Sequence, residues 1–217
     1  MAGIADILMR GVSPDRARVI CILVHGRGQT PEEMEAGIIA RLSAPDVAFA
    51  LPRATGNSWY SAKAVDPLTD ATRAELAQSR ADLDRAVSDM RSHGRPVVVA
   101  GFSQGACLAI EQAFGPGPSP DAVIALTGCR VGVTGDDRPA ALTPALPVYL
   151  TGSDADPWIP APAFAAAAGE LALAGARLRA DAFPGRPHEV SAPEIAMFDA
   201  IVADLAAGRP PRMEAPR

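Results

Sequence analysis

Gly101-Phe102-Ser103-Gln104-Gly105 stands between two segments of opposite character, and its reading decides the fold. Before it, Arg95-Pro-Val-Val-Val-Ala100 is an unbroken β-branched run with a proline at its mouth, the pattern of a strand buried on both faces. After it, Ala106 to Phe114 consists of good helix formers and stops at Gly115-Pro116. Strand, G-x-S-x-G and helix, in that order, describe a sharp elbow that presents a serine at the top of a sheet. Glycines flank the serine because so tight a turn leaves no room for side chains, and the serine itself takes a strained conformation. The competing reading makes Ser103 an ordinary helix N-cap, a common role for a serine after a strand. The rest of the chain has to separate the two.

Working outward, strands and helices alternate. Arg18 to Val24 is a second apolar run, followed by the loop His25-Gly26-Arg27-Gly28 and a helix expected from Pro31 to Leu42, with Thr30 as its cap. That loop lacks both the lysine with serine or threonine of a phosphate cradle and the third glycine of a dinucleotide site. Its exposed amides suit an oxyanion instead. Asp46 to Leu51, Ala122 to Leu126, Pro147 to Thr151 and Arg177 to Phe183 read as further strands. Thr69 to His93 carries Leu76, Leu83, Val87 and Met90 on one helical face, and Pro160 to Leu173 and Pro193 to Leu205 complete the helices. Apolar strands alternating with helices predict an α/β protein with a mostly parallel central sheet and helices on both faces.

The chain has 217 residues and 48% hydrophobic content, enough for one sizeable core, so residues 1–208 are expected to form a single domain. The proline- and arginine-rich segment 209–217 is expected to be poorly ordered. A net charge of -5 with scattered basic residues argues against a nucleic-acid partner. No apolar run reaches membrane-spanning length, and Asp6 interrupts the stretch where a signal peptide needs an apolar core. A soluble, cytoplasmic protein without integral membrane association is expected, and a homodimer is left open. Cys21, Cys107 and Cys129 lie in apolar surroundings without a C-x-x-C pair, which fits reduced thiols and no metal.

In a parallel sheet, ligands bind beyond the carboxyl ends of the strands. The loops expected there carry His25 and Arg27, Trp59 and Tyr60, Ser103, Asp154 and Asp156, and His188. Of the three histidines, His93 belongs at the far end of the sheet and His25 is placed to brace the glycine loop, which leaves His188 as the base for Ser103. Asp154 and Asp156 follow the same strand and spacing separates them poorly. Pro157 and Pro160 fix the loop around Asp156 and favour it as the group that orients the imidazole. Trp59 reads either as a lid over the core or, beside Asn57 and Tyr60, as a pocket wall. Serine, aspartate and histidine then follow the chain order of an α/β-hydrolase.

These residues carry a family resemblance. His25-Gly-Arg-Gly28, Asn57-Ser-Trp-Tyr60, Gly101-Phe-Ser-Gln-Gly-Ala106, Ser153-Asp-Ala-Asp-Pro157 with Ile159-Pro160, and Gly185 with His188 resemble the bacterial phospholipase/carboxylesterase family, small α/β-hydrolases related to acyl-protein thioesterases. The resemblance runs across nearly the whole chain. It implies an α/β-hydrolase fold without a large cap domain, Ser103, Asp156 and His188 as a triad, and an oxyanion hole from the backbone amides of Arg27 and Gln104. It implies no metal or organic cofactor. The expected substrate is a small-molecule ester, bound against Trp59, Tyr60 and Trp158. Trp158 and Ser61 depart from the family pattern, which more often has a smaller residue or a histidine at the first position and a proline at the second. Substrate preference therefore does not carry over.

Overall fold

A computed structural model of the chain describes residues 3–214. Seven strands form one sheet: β1 (Ile4–Gly11), β2 (Val19–Val24), β3 (Val47–Ala54), β4 (Val97–Phe102), β5 (Ala122–Leu126), β6 (Pro147–Gly152) and β7 (Arg177–Ala182). Their spatial order is β1-β3-β2-β4-β5-β6-β7, and every neighbouring pair is parallel except β1 with β3. The helices are α1 (Pro31–Gly37), α2 (Asp70–Arg91), α3 (Gln104–Ala113), α4 (Ala161–Leu173) and α5 (Ala192–Ala206). No separate cap covers the sheet's carboxyl edge among the described residues, and none of their helices is long and apolar enough to cross a membrane.

Strand alternation divides the core in two. Ile20, Ile22 and Val24 of β2 join Leu83 and Val87 of α2, Ala106 and Ile110 of α3, and Leu171 of α4 on one face. Val19, Cys21 and Leu23 point the other way, toward Met34 of α1 and Phe198, Ile201 and Val202 of α5. A period of two along a strand buried on both sides thus feeds two separate cores. β4 lies centrally and is buried along its whole length, which gives the elbow that follows it a rigid support.

Two elements differ from the sequence expectation. β1 was not anticipated: Ile4, Ile7 and Leu8 are half-buried, but a bulge between Ile4 and Asp6 breaks the clean alternation that marks a strand. Asp6 and Arg10 of this edge strand reach Arg53 and Glu35 through ion pairs. The first helix ends at Gly37 rather than Leu42, and Ile39–Arg41 continues as a single 3-10 turn, consistent with glycine's low helix propensity. Of the tail, Arg209 and Arg212 hydrogen-bond the buried Asp204 carboxylate, and residues 215–217 lie outside the described residues.

The long connection after β5 is held by charge rather than by secondary structure. Arg130 forms a two-pronged pair with Glu111 of α3, with its Nε 2.6 Å from Oε1, and its guanidinium lies 3.9 Å over the Phe114 ring. Glu111 also accepts the Val131 amide at 2.9 Å, so one buried carboxylate fixes both ends of the contact. Arg130→Met leaves that carboxylate buried without its partner. It is expected to cost about 3–5 kcal/mol of unfolding free energy, measured by urea titration.

Candidate active site

The elbow owes its shape to backbone contact. A Cβ on Gly105 would stand 2.2 Å from the Val24 carbonyl oxygen, and one on Gly101 would stand 2.3 Å from the Gly105 carbonyl oxygen. Neither position admits a side chain. Between them, Ser103 adopts φ 55° and ψ -119°, a strained geometry for a residue with a side chain, costing about 1–3 kcal/mol. Its backbone amide donates to Leu126 and its carbonyl accepts from Cys107, which pins the turn on both sides. Ser103 caps α3 only by position, since its side chain makes no capping hydrogen bond.

That hydroxyl meets the imidazole expected of it. Ser103 Oγ lies 2.9 Å from His188 Nε2, and His188 Nδ1 lies 2.6 Å from Asp156 Oδ2. An ionised Asp156 accepts, so the proton sits on Nδ1 and Nε2 is left to accept from the serine hydroxyl. The second oxygen of Asp156 accepts the backbone amides of Trp158 and Ile159, each at 2.8 Å. Burial alone pushes the Asp156 carboxyl up, but the Ile159 amide, His188 and the Trp158 amide outweigh it and hold the group below the ordinary aspartate value. Asp154 does different work: it accepts the Gly185 amide at 2.7 Å and ties the loop after β6 to the one after β7.

The His188 loop is clamped from beneath by Arg186. Its buried guanidinium donates to the carbonyls of Pro187 and Glu189, the two neighbours of His188, and to Thr127 Oγ1 at 2.8 Å. Glu194, fully buried at the start of α5, lies 3.5 Å from Arg186 Nε and also accepts from Ser191 and Thr151. The mark of this pair in the sequence is an arginine two positions before the histidine of an otherwise proline- and glycine-rich loop.

On the opposite side of Ser103 lies the loop after β2. The pairing of Val24 with Gly101 brings Gly26 beside the serine, where its Cβ position is 3.3 Å from Ser103 Cβ. The backbone amides of Arg27 and Gln104 have no hydrogen-bond partner among the described residues. His25 is buried and braces this loop: Nδ1–H donates to the Gly26 carbonyl and Nε2 accepts the Ala54 amide. Burial lowers its pKa and keeps it neutral, as that pairing requires. The third histidine, His93, sits 2.6 Å from Asp15, outside the site.

A cavity of about 600 Å³ opens over Ser103 and His188, walled in part by Tyr60, Phe102, Trp158 and Ile159. Trp59 is not part of it, which corrects the expectation of a pocket wall and leaves the alternative, a residue packed over the core. Its indole is fully buried behind the loop, packed on His25, with Nε1–H donated to the His25 carbonyl at 2.8 Å. The Gln104 side chain sets this arrangement by accepting the Trp59 amide and donating to the Tyr60 carbonyl, so Trp59 faces the core and Tyr60 the cavity. Cys107 also reaches the cavity, with its sulfur 3.9 Å from that of Cys129. Among the described residues no group of three or more His, Cys, Asp or Glu side chains is placed to hold a metal ion.

A profile of the alpha/beta hydrolase family matches residues 21–216. The chain belongs to that family. This hydrolase is also similar to a solved phospholipase/carboxylesterase from Dyadobacter fermentans, at 27% identity over 93% of this chain and 98% of the other, with a TM-score of 0.82. A Bacillus cereus carboxylesterase shares 14% identity over 92% of this chain and 93% of the other, with a TM-score of 0.74. Maize acyl-protein thioesterase 2 shares 14% over 93% and 99%, with a TM-score of 0.70. At 14% the likeness speaks for the fold alone. None of the curated proteins matches this hydrolase significantly in sequence.

Two outcomes follow from the geometry of the hydrolase. Arg186→Met removes the donors under Pro187 and Glu189, and amide hydrogen exchange in residues 184–190 is expected to accelerate while that of β4 stays slow. Asp156 has a folded pKa below its unfolded value, so its contribution is complete above the unfolded value and is lost as pH falls through the folded one. Asp156→Asn should therefore melt lower than the wild type at pH 7, and the gap should close below about pH 4, where unfolded aspartate takes up its proton.

Proposed function

We propose that the protein is a serine carboxylesterase that cleaves short to medium acyl or aryl esters through an acyl-enzyme, with Ser103, His188 and Asp156 as its triad. The observation that carries this reading is the continuous chain of hydrogen bonds from Asp156 through His188 to Ser103 at the floor of an open cavity. Ser103 Oγ attacks the ester carbonyl as His188 Nε2 takes its proton. The carbonyl oxygen becomes an oxyanion and accepts the free amides of Gln104 and Arg27. On collapse, the imidazolium returns the proton to the departing alcohol. Water then enters by the same route, giving its proton to His188 while its oxygen attacks the acyl carbon, and the proton returns to Ser103 as the acid leaves.

Asp156 keeps the imidazole in the required tautomer and compensates its transient positive charge. The apolar wall formed by Phe102, Trp158 and Ile159 suits a modest acyl or aryl group, and the absence of a cap among the described residues leaves that group partly open to solvent. A thioester presents the same carbonyl to the same atoms. Paired oxygen and sulfur esters of one acyl group separate an esterase from a thioesterase by their kcat/KM values.

Ser103→Ala and His188→Ala are each expected to lower kcat on p-nitrophenyl butyrate by roughly 10⁴-fold or more, with a folded protein by circular dichroism. A fluorophosphonate should label the wild type and leave Ser103→Ala unlabelled. Asp156→Asn should be severe, and Asp154→Asn mild because its partner is a loop amide. Wild-type protein that neither labels nor turns over any member of an ester panel would remove the assignment and leave a binding protein with this fold.

A further inference from the structure

The Ser103 cavity has a sign of charge. Arg27 and Lys63 stand in its wall, while no aspartate or glutamate does among the described residues. The chain as a whole carries a net charge of -5, so this concentration of cations runs against the rest of the molecule. Lys63 is also the chain's only lysine; all its other cationic side chains outside histidine are arginines.

Neither cation forms an ion pair with a carboxylate among the described residues. Arginines elsewhere, such as Arg10, Arg53, Arg130, Arg138 and Arg179, meet a carboxylate directly. Arg27 instead donates to the carbonyls of Ser61 and Ala62, neutral partners that orient its guanidinium beside the Tyr60 ring and leave its charge intact. The Lys63 ammonium has no hydrogen-bond or ion-pair partner among the described residues. Two nearby acids are engaged otherwise: Asp66 of this loop accepts the Lys63 backbone amide at 3.1 Å, and Glu75 of α2 accepts the amide and hydroxyl of Ser61. The N-terminus of α3, with the positive end of its dipole, opens onto the same space. Apolar walls on the other side strengthen the resulting field.

We propose that the cavity selects esters that carry a carboxylate, with Lys63 as the mobile counter-charge and Arg27 as the fixed one. This rests on the hydrolase reading of Ser103 and names its substrate class. A carboxylate fits better than a phosphate. The Arg27 fork is already directed at two carbonyls, so it supplies charge and no bidentate clamp, and the one free ammonium of Lys63 balances the single charge of a carboxylate rather than a dianion. A lysine on a four-carbon stem offers three rotating donors and can follow a carboxylate to more than one position.

Two matched pairs of esters test the proposal at pH 7. The anion 4-acetoxybenzoate and neutral 4-acetoxybenzamide differ only on the alcohol side; monomethyl adipate and methyl adipamate differ only on the acyl side. In the wild type, kcat/KM is expected to favour the anion of at least one pair by about fivefold, a preference that shrinks with added sodium chloride. Lys63→Gln should lower that ratio to about half or less, the remainder being carried by Arg27, Lys63→Glu should lower it further, and Lys63→Arg should retain most of it. Equal kcat/KM within both wild-type pairs, or a preference undiminished in Lys63→Gln, overturns the proposal. If no ester is turned over, the hydrolase reading fails by itself, and calorimetric titration with 4-hydroxybenzoate and 4-hydroxybenzamide still decides about the cavity. Tighter binding of the anion that weakens in Lys63→Gln supports the site; equal binding of the two, or a preference undiminished in Lys63→Gln, removes it.

Discussion

The approach of Gly105 to the Val24 carbonyl is the contact on which the site depends. At 2.2 Å from a Cβ to that oxygen, no other residue fits without moving the backbone, and the same is true of Gly101 against Gly105. These two contacts let α3 start immediately beyond β4 and force Ser103 into its positive φ. Strain is tolerated there because β4 is paired on both sides, by β2 and β5, and buried along its length. The serine is thus held up by the interior of the sheet rather than by its own loop.

The remaining parts of the site arrive from other strand ends and are held by polar contacts of their own. Asp156 is fixed by two backbone amides of the turn it sits in, and His188 by an arginine that holds the carbonyls on either side of it. Thr127, Thr151 and Glu194 connect the ends of β5 and β6 to the start of α5 in one buried network with that arginine. Each strand ends in a contact that restricts the next, so the hydrogen bonds from Asp156 to Ser103 are the last links of a longer chain.

The features legible in the sequence were those with strong local signatures. Five of the seven strands read directly as apolar or β-branched runs, the charged β7 followed from its place between a helix and the His188 loop, and the long helix over α2 showed its apolar face. The edge strand β1 escaped because a bulge and half-exposure blur its alternation. Ser103, Asp156 and His188 could be chosen because the parallel sheet restricts which loops can meet, and because only three histidines compete. Trp59 and Tyr60 could not be told apart, since the direction of each ring is set by Gln104, a residue 44 positions beyond Tyr60 in the chain. Arg186 was hard to place for a similar reason: two of its partners are backbone carbonyls, and carbonyls have no sequence signature.

The opposite fates of the two tryptophans have a practical side. Trp59 has no solvent-exposed surface and Trp158 retains 61% of its own, at the rim of the cavity. Light emitted by the protein therefore comes from one indole in a fixed, dry setting and one in water. A molecule entering the cavity dehydrates only the second, which gives the fold a built-in optical gauge of occupancy with an internal reference.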